Sequence, residues 1–269
     1  MNNKLSKIQR LELDALKEIK VIAEKNDIKF FLRGGSVMGA VKYKGFIPWD
    51  DDMDIAVPRG QFERLMEVLK GDWSERFWLA NYRKGDEIHA YFPRILVKEN
   101  YRKQEGLPTN NHLGFSIIDI LPLDGVPNTT IGRKWYKYHV MILRGMGAVF
   151  TRDIKDTIVI HSKKKQFAID LLGKLGVKHF YTQNMIYDKI DMVYRKNKLN
   201  GSKWVGTITG SLFDKEIFPA EYFGNGVAIP FEDTEFLVPN RYDEYLKQLY
   251  GKNYANEEPN HKKSHIEVK

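Results

Sequence analysis

Cysteine is absent from the 269 residues. That removes disulfides, a thiol nucleophile and any cysteine-held zinc at once, and it suits a reducing compartment. No run of roughly 18 apolar residues occurs, so no membrane-spanning helix is expected. The opening Met1-Asn2-Asn3-Lys4 is polar and leads into an amphipathic pattern, so the sequence reads without a secretory signal and a cytoplasmic protein is expected. Internal repeats and low-complexity linkers are missing. Histidines at metal spacing are scarce: His89, His112 and His139 stand alone, and the pair His261 and His265 lies among lysines in a polar tail. Acidic residues are rare in one stretch. Residues 131–180 hold eleven Lys or Arg and three Asp, a balance of +8, which equals the excess of the whole chain. So concentrated a basic surface points to an anionic partner such as phospholipid, lipid-linked phosphate, nucleotide or nucleic acid.

What is present is organised around Ile47-Pro48-Trp49-Asp50-Asp51-Asp52-Met53-Asp54-Ile55-Ala56-Val57. Ile55 to Val57 reads as a short buried strand ended by Pro58. If the strand starts at Asp50, then Asp50, Asp52 and Asp54 share one face. Neighbours there are roughly 7 Å apart. At an effective dielectric of about 20, each pair repels by roughly 2–3 kcal/mol. Two readings compete: an acidic, solvated turn before a strand, or carboxylates gathered for a divalent cation. Alternation running into an apolar strand favours the second. Mg²⁺, which prefers a few carboxylate oxygens plus substrate phosphates, fits such a set.

The flanking sequence supplies more of a site. Leu5, Ile8, Leu11, Ala15, Ile19 and Ile22 predict a helix over 5–25, and Ile28 to Leu32 a strand. Arg33-Gly34-Gly35-Ser36 follows. Two glycines allow a sharp turn and close approach to a ligand. Ser36 is expected to cap a short helix, Val37 to Lys42, whose free N–H groups form an anion site. A helix over 61–70 and strands over 77–82 and 91–97 come next, the last containing Arg94, placed to reach phosphate or to form a salt bridge. A loop covers 107–111. In the apolar strand around Ile117-Ile118-Asp119-Ile120 a single carboxylate stands alone. Asp119 needs a partner there, either an arginine or the cation of the Asp50–Asp54 cluster. Residues 128–200 read as helical, basic and aromatic, a composition suited to an anionic membrane surface or to an ordinary cap with a solvated face. A strand over 203–209, a hairpin over 226–238, a last helix over 241–250 and a polar tail complete the chain.

The order strand, Gly-Gly-Ser, short helix, Asp-x-Asp-x-Asp strand, strand with one Asp resembles the nucleotidyltransferase fold typified by DNA polymerase beta. Within it the sequence is similar to the LicD family, which includes fukutin and fukutin-related protein. The residues that carry the likeness are Gly34 to Lys42, Lys44 to Ile55, Ile118 to Gly125, and Val238 to Leu246 with Tyr250-Gly251. Val37-Met38 and Lys42-Tyr43 depart from the usual family pattern, and lysine loses the bidentate phosphate contact that arginine makes.

The resemblance implies an α/β (α+β) nucleotidyltransferase-like mixed sheet at 1–127. It also implies an inserted basic helical subdomain at 128–200, and C-terminal strands and a helix at 201–269 that pack back on the core, with a disordered tail from about 253. It implies transfer of a phospho-alcohol, phosphocholine or a polyol phosphate, from a CDP-activated donor to a sugar hydroxyl of a cell-surface glycan or lipid-linked oligosaccharide. Asp52, Asp54 and Asp119 are then the ligands of Mg²⁺ or Mn²⁺. Asp119 shares the metal or takes the acceptor's proton, and Asp50 is a supporting carboxylate. Gly34, Gly35, Ser36, Lys42 and Lys44 hold donor phosphates, and Trp49 stacks the cytosine or contacts the alcohol. Peripheral contact with an anionic membrane through 131–180 is expected, and nucleic acid is not. Two other readings stay open: transfer of a whole nucleotide to a small-molecule or sugar acceptor, and a non-catalytic glycan- or membrane-binding module.

Overall fold

A computed structural model describes residues 6–50, 52–86, 88–107, 116–151, 163–209 and 212–258. Helix α1 (Lys7–Lys25) opens on a capping box: the Ser6 hydroxyl accepts from the Gln9 N–H, and the Gln9 side chain accepts from the Ser6 N–H. Its buried stripe includes Leu11, Leu16 and Ile19. Strand β1 (Phe31–Leu32) is shorter than the apolar run from Ile28 suggests, because Asp27 takes a positive φ and Ile28 is still tied back to Ala23. Helix α2 (Gly35–Met38) continues directly into a π-turn over Gly39–Tyr43. Strand β2 (Met53–Pro58) and helix α3 (Arg59–Val68) follow, then β3 (Phe77–Ala80), β4 (Arg94–Val97), α4 (Glu99–Gln104) and the long β5 (Ser116–Val126).

Next come α5 (Thr130–Thr151), α6 (Lys163–Lys174), α7 (Val177–Phe180) and α8 (Gln183–Arg195). The chain returns to the sheet in β6 (Trp204–Gly206) and β7 (Ile217–Pro219), then forms the hairpin β8 (Val227–Phe231) and β9 (Thr234–Val238) and ends in α9 (Tyr242–Tyr250). The architecture is thus mixed α/β, with a sheet that is both parallel and antiparallel.

β5 is the spine. The sheet order is β1-β2-β5-β4-β3, with β6 added to β5 and β7 to β6. Only β2 and β5 run parallel, while every other pair in the sheet is antiparallel. Ile117, Ile118 and Ile120 are fully buried, as expected for a strand covered on both sides. One face carries Ile55, Ile95, Val97, Ile118 and Ile120 into a core with α1 and α3. The other carries Leu96, Ala80 and Val126 into a second core with Tyr136, Val140 and Leu143 of α5 and Ile186 and Ile190 of α8. The helical stretch lies between β5 and β6, two strands that pair with each other.

α8 is also held to the sheet by charge. Arg59 of α3 forks onto Asp124 of β5 (2.7 and 2.5 Å) and reaches Asp191 of α8 at 3.0 Å. Arg83 and Arg195 bind the same Asp191.

Several expected boundaries move. β2 begins at Met53, not Asp50, because the Asp50 N–H turns back to the Ile47 carbonyl (3.0 Å). Asp50, Asp52 and Asp54 are therefore not three alternate residues of one strand, and Asp51 lies outside the described residues. So do most of the 107–111 loop and residues 152–162, and nothing is described of the Lys163–Lys165 side chains. The tail expected from about 253 still makes contacts at Tyr254, which is buried with its hydroxyl donating to Asp243 at 2.9 Å. Residues 259–269 lie outside the described residues.

Candidate active site

The site starts with Gly34. Its φ of +55° and ψ of −124° belong to a backbone region that side-chain-bearing residues avoid. This turn lets the chain leave β1 and enter α2 at once, so Gly34 is the helix cap and Ser36 is not. The Ser36 hydroxyl lies within the helix and accepts instead from the Asp54 N–H at 2.9 Å. The Arg33 N–H donates to the Asp54 carbonyl, also at 2.9 Å. The glycine turn is thus stapled to the aspartate strand through backbone. A Cβ on Gly34 would sit 3.3 Å from Asp54 Oδ2, and one on Gly35 3.1 Å from Asp50 Oδ2. The close approach that the two glycines permit is to carboxylates.

The strand register lines up the charged residues. Asp54 of β2 is the Cα partner of Asp119 of β5, which is the Cα partner of Arg94 of β4. All three project from the face opposite Ile55, Ile118 and Ile120. Arg94 grips Asp119 with two nitrogens, at 3.0 and 3.3 Å, so the arginine partner foreseen for a lone strand carboxylate is present. Asp54 has a weaker counterion, Arg33 Nη1 at 3.7 Å. Burial pushes the Asp54 carboxyl up to about 8; Arg33 pulls it down, and the negative charges of Asp119, Asp52 and Glu216 push it up further. Asp52 is exposed and near enough to contribute.

Arg33 is committed on its other side. Its Nη2 donates to Glu216 (3.1 Å) and to the Thr207 carbonyl (3.2 Å). Glu216, 3% exposed, also accepts from the Thr209 N–H at 2.6 Å. Burial alone would lower the Arg33 pKa, but Tyr245, Asp54, Glu216 and Tyr250 outweigh it and raise it, so the guanidinium stays charged. Helix α9 supplies a lid of phenols. The Tyr245 hydroxyl accepts from the Gly34 N–H at 2.9 Å, and the Tyr250 hydroxyl lies 3.7 Å from where a Gly34 Cβ would be. Burial raises the Tyr245 phenol to about 12.

The structure therefore gathers Asp50, Asp54, Asp119, Gly34, Gly35 and Ser36, with Asp52 at the margin. The described contacts of the other proposed donor-binding residues lie elsewhere. Lys42 Nζ donates to the Glu257 carbonyl at 3.0 Å and lies over the Tyr43 ring. Lys44 is exposed in a left-handed conformation, and its carbonyl accepts from the Glu232 N–H. Trp49 packs edge-on to Tyr43, with ring centres 6.0 Å apart. Arg33, Glu216, Tyr245 and Tyr250 were not foreseen as site residues. Arg33 adjoins the glycines and both tyrosines lie in or next to the C-terminal signature, but nothing in the sequence marks Glu216.

Among the described residues no three His, Asp or Glu side chains converge as a ready coordination cluster. The donor set still suits a hard cation. Asp50, Asp52, Asp54, Asp119 and Glu216 outnumber Arg33 and Arg94, and the Asp54 carboxyl is raised first by its burial and then by the neighbouring acids.

This imbalance has a measurable consequence. The folded value of about 8 lies above the ordinary 3.8, so between them the native state binds more protons than the unfolded chain. Stability must then fall as pH rises through that window. With chelator present, Tm is expected to decline from about pH 5 to about pH 8, and Asp54→Asn is expected to flatten the decline. Equal slopes in the two proteins would contradict the assignment.

Residues 27–142 match the family model described as LicD/FKTN/FKRP, nucleotidyltransferase domain. Lipopolysaccharide cholinephosphotransferase LicD of Haemophilus influenzae is 26% identical over 242 residues, covering 89% of this chain and 87% of that protein. Uncharacterized proteins of Rickettsia prowazekii and Rickettsia typhi share 35% and 36% identity over 54 residues, 20% of this chain. The matched span holds the glycine turn, β2, Arg94 and Asp119, and over residues 27–142 the chain is similar to the LicD family.

Proposed function

We propose that the chain is a phosphotransferase that moves a phospho-alcohol from a CDP-activated donor to a sugar hydroxyl of a cell-surface glycan, on a core of nucleotidyltransferase type. One observation carries the reading: two carboxylates, Asp54 and Asp119, stand in register on neighbouring strands beside a glycine turn, with more negative than positive charge around them. The likeness to a protein named as a lipopolysaccharide cholinephosphotransferase supports phosphocholine as the group and a glycan as the acceptor.

In this reading Asp52, Asp54 and Asp119 would hold Mg²⁺ or Mn²⁺, whose chemistry when bound is to neutralise the diphosphate of the donor and the departing CMP. The acceptor hydroxyl oxygen attacks the phosphorus that bears the alcohol. The bond to the CMP oxygen breaks, and the hydroxyl proton passes to a carboxylate, for which Asp119 is the candidate. Arg94 then orients Asp119. Arg33, held by Glu216, fixes one side of Asp54. Asp50 and the Gly34–Gly35 turn bound the space where the diphosphate sits.

The test is a donor panel of CDP-choline, CDP-ribitol and CDP-glycerol with a lipopolysaccharide or teichoic acid acceptor, read by product mass in Mg²⁺ or Mn²⁺. A phosphocholine or polyol phosphate increment is the expected result. A nucleotide increment would replace this reading with nucleotidyl transfer, and no turnover of any donor would favour the binding module.

A further inference from the structure

Outside the site, the strongest unexplained feature is where the protein leaves apolar side chains in water. Of fourteen large apolar side chains exposed among the described residues, eleven lie between Ile131 and Met192. Four of them fall on one stripe of α5: Ile131 (72% exposed), Trp135 (72%), Tyr138 and Ile142. Their spacing of four, three and four residues keeps them within about 60° of arc on a helix. The opposite face of α5, through Tyr136, Val140 and Leu143, fills the second core, so the stripe is not surplus from a misplaced helix.

α6 accounts for only part of the outer face. Its Leu172 lies 3.2 Å from where a Cβ on Gly145 of α5 would be, and its own Gly173 sits against Val149 of α5. α6 therefore covers the C-terminal half of α5 and leaves the N-terminal half open. It also adds exposed Phe167 and Leu171 of its own.

The choice of occupant rests on charge. Lys134 is exposed beside Trp135, and Lys174 and Lys178 are exposed beside the apolar residues that end α6 and α7. The surrounding 131–180 segment has a balance of +8. A second copy of the chain would bring like charge against like, and the centres of protein interfaces are depleted in lysine. Apolar and aromatic side chains laced with lysine match instead the boundary of an anionic bilayer, where rings reach the acyl region and ammonium groups meet headgroup phosphates. No described helix is long and apolar enough to cross a membrane, so the contact lies along the surface.

We infer that the outer face of α5, Ile131–Trp135–Tyr138–Ile142, with its lysine border, seats the protein on an anionic lipid surface. The inference stands independently of the proposed reaction.

Flotation of the full chain with phosphatidylcholine vesicles, and with equimolar phosphatidylcholine and phosphatidylglycerol vesicles, tests it. Binding is expected only to the second, and is expected to weaken severalfold in high salt through screening. Trp135→Ser with Ile142→Ser is expected to lower binding at least about fivefold, and Lys134→Glu with Lys178→Glu comparably. All four side chains are exposed or border solvent, so circular dichroism and donor hydrolysis should be unchanged in both variants.

The cysteine-free sequence permits a local readout. Ile142→Cys carrying an environment-sensitive fluorophore should shift to the blue on anionic vesicles, while Lys84→Cys should not. Equal binding to both vesicle types, undiminished binding of the variants, or a blue shift that follows protein concentration without lipid would overturn the inference, the last in favour of self-association.

Discussion

Asp54→Asn is expected to lower kcat for phospho-group transfer by about 10²–10³-fold while leaving the fold at least as stable. The substitution keeps the shape of the side chain. It also keeps the backbone bonds that staple β2 to the glycine turn, since Ser36 and Arg33 engage the Asp54 N–H and carbonyl and not its carboxylate. What it removes is one negative charge from a set already in excess. In the metal-free protein that charge is a burden, as the raised carboxyl shows. On the proposed reading, Asp54 trades stability for function. The expected signature is therefore a large loss of activity with an unchanged or higher Tm near pH 8. Asp119→Asn is the less clean probe, because it also strips Arg94 of its partner. Activity of Asp54→Asn within about tenfold of the parent would remove Asp54 from the chemistry.

The second large effect concerns stability. Arg59→Met is expected to cost about 3–5 kcal/mol, because it leaves Asp124 buried without its partner. Asp124 is 1% exposed, and burial already raises its carboxyl despite the two bonds from Arg59. In a domain of this size such a loss corresponds to a Tm lower by about 10 °C. Protonation of the orphaned Asp124 sets a ceiling on the loss. The same substitution removes one of three arginines from Asp191 and the one that ties it to α3, so the motion of α8 should increase, visible as faster amide exchange in Gln183–Arg195 than in β5. Adding Asp124→Leu removes the buried charge and should recover most of the Tm. A double variant no more stable than the single would show that the network acts through something other than charge desolvation.

Much of this was legible in sequence because the signals are local. The α1 stripe, the Gly-Gly turn, the apolar strand after the aspartates and the isolated Asp119 each depend on periodicity or on residues a few positions apart. The stretch from Asp50 was misread as strand because alternation was judged from side-chain type alone. The Ile47–Asp50 turn is a backbone matter, and it delays β2 to Met53. Ser36 was misread as a cap for a similar reason: Gly34, with no side chain to cap anything, takes the position by its φ.

The amino-acid sequence alone determined which acids are available, that an apolar strand follows them, and that basic charge collects in the helical stretch. Each of these is a property of neighbours along the chain. Only the tertiary structure decided which cations answer the acids. Arg33 meets Glu216 across 183 positions, and Gly34 meets Tyr245 across 211. Buried charges cannot be left unpaired, but strand register and helix docking choose the partner. Helix docking likewise sets α6 against the C-terminal half of α5 and leaves the stripe from Ile131 to Ile142 in solvent.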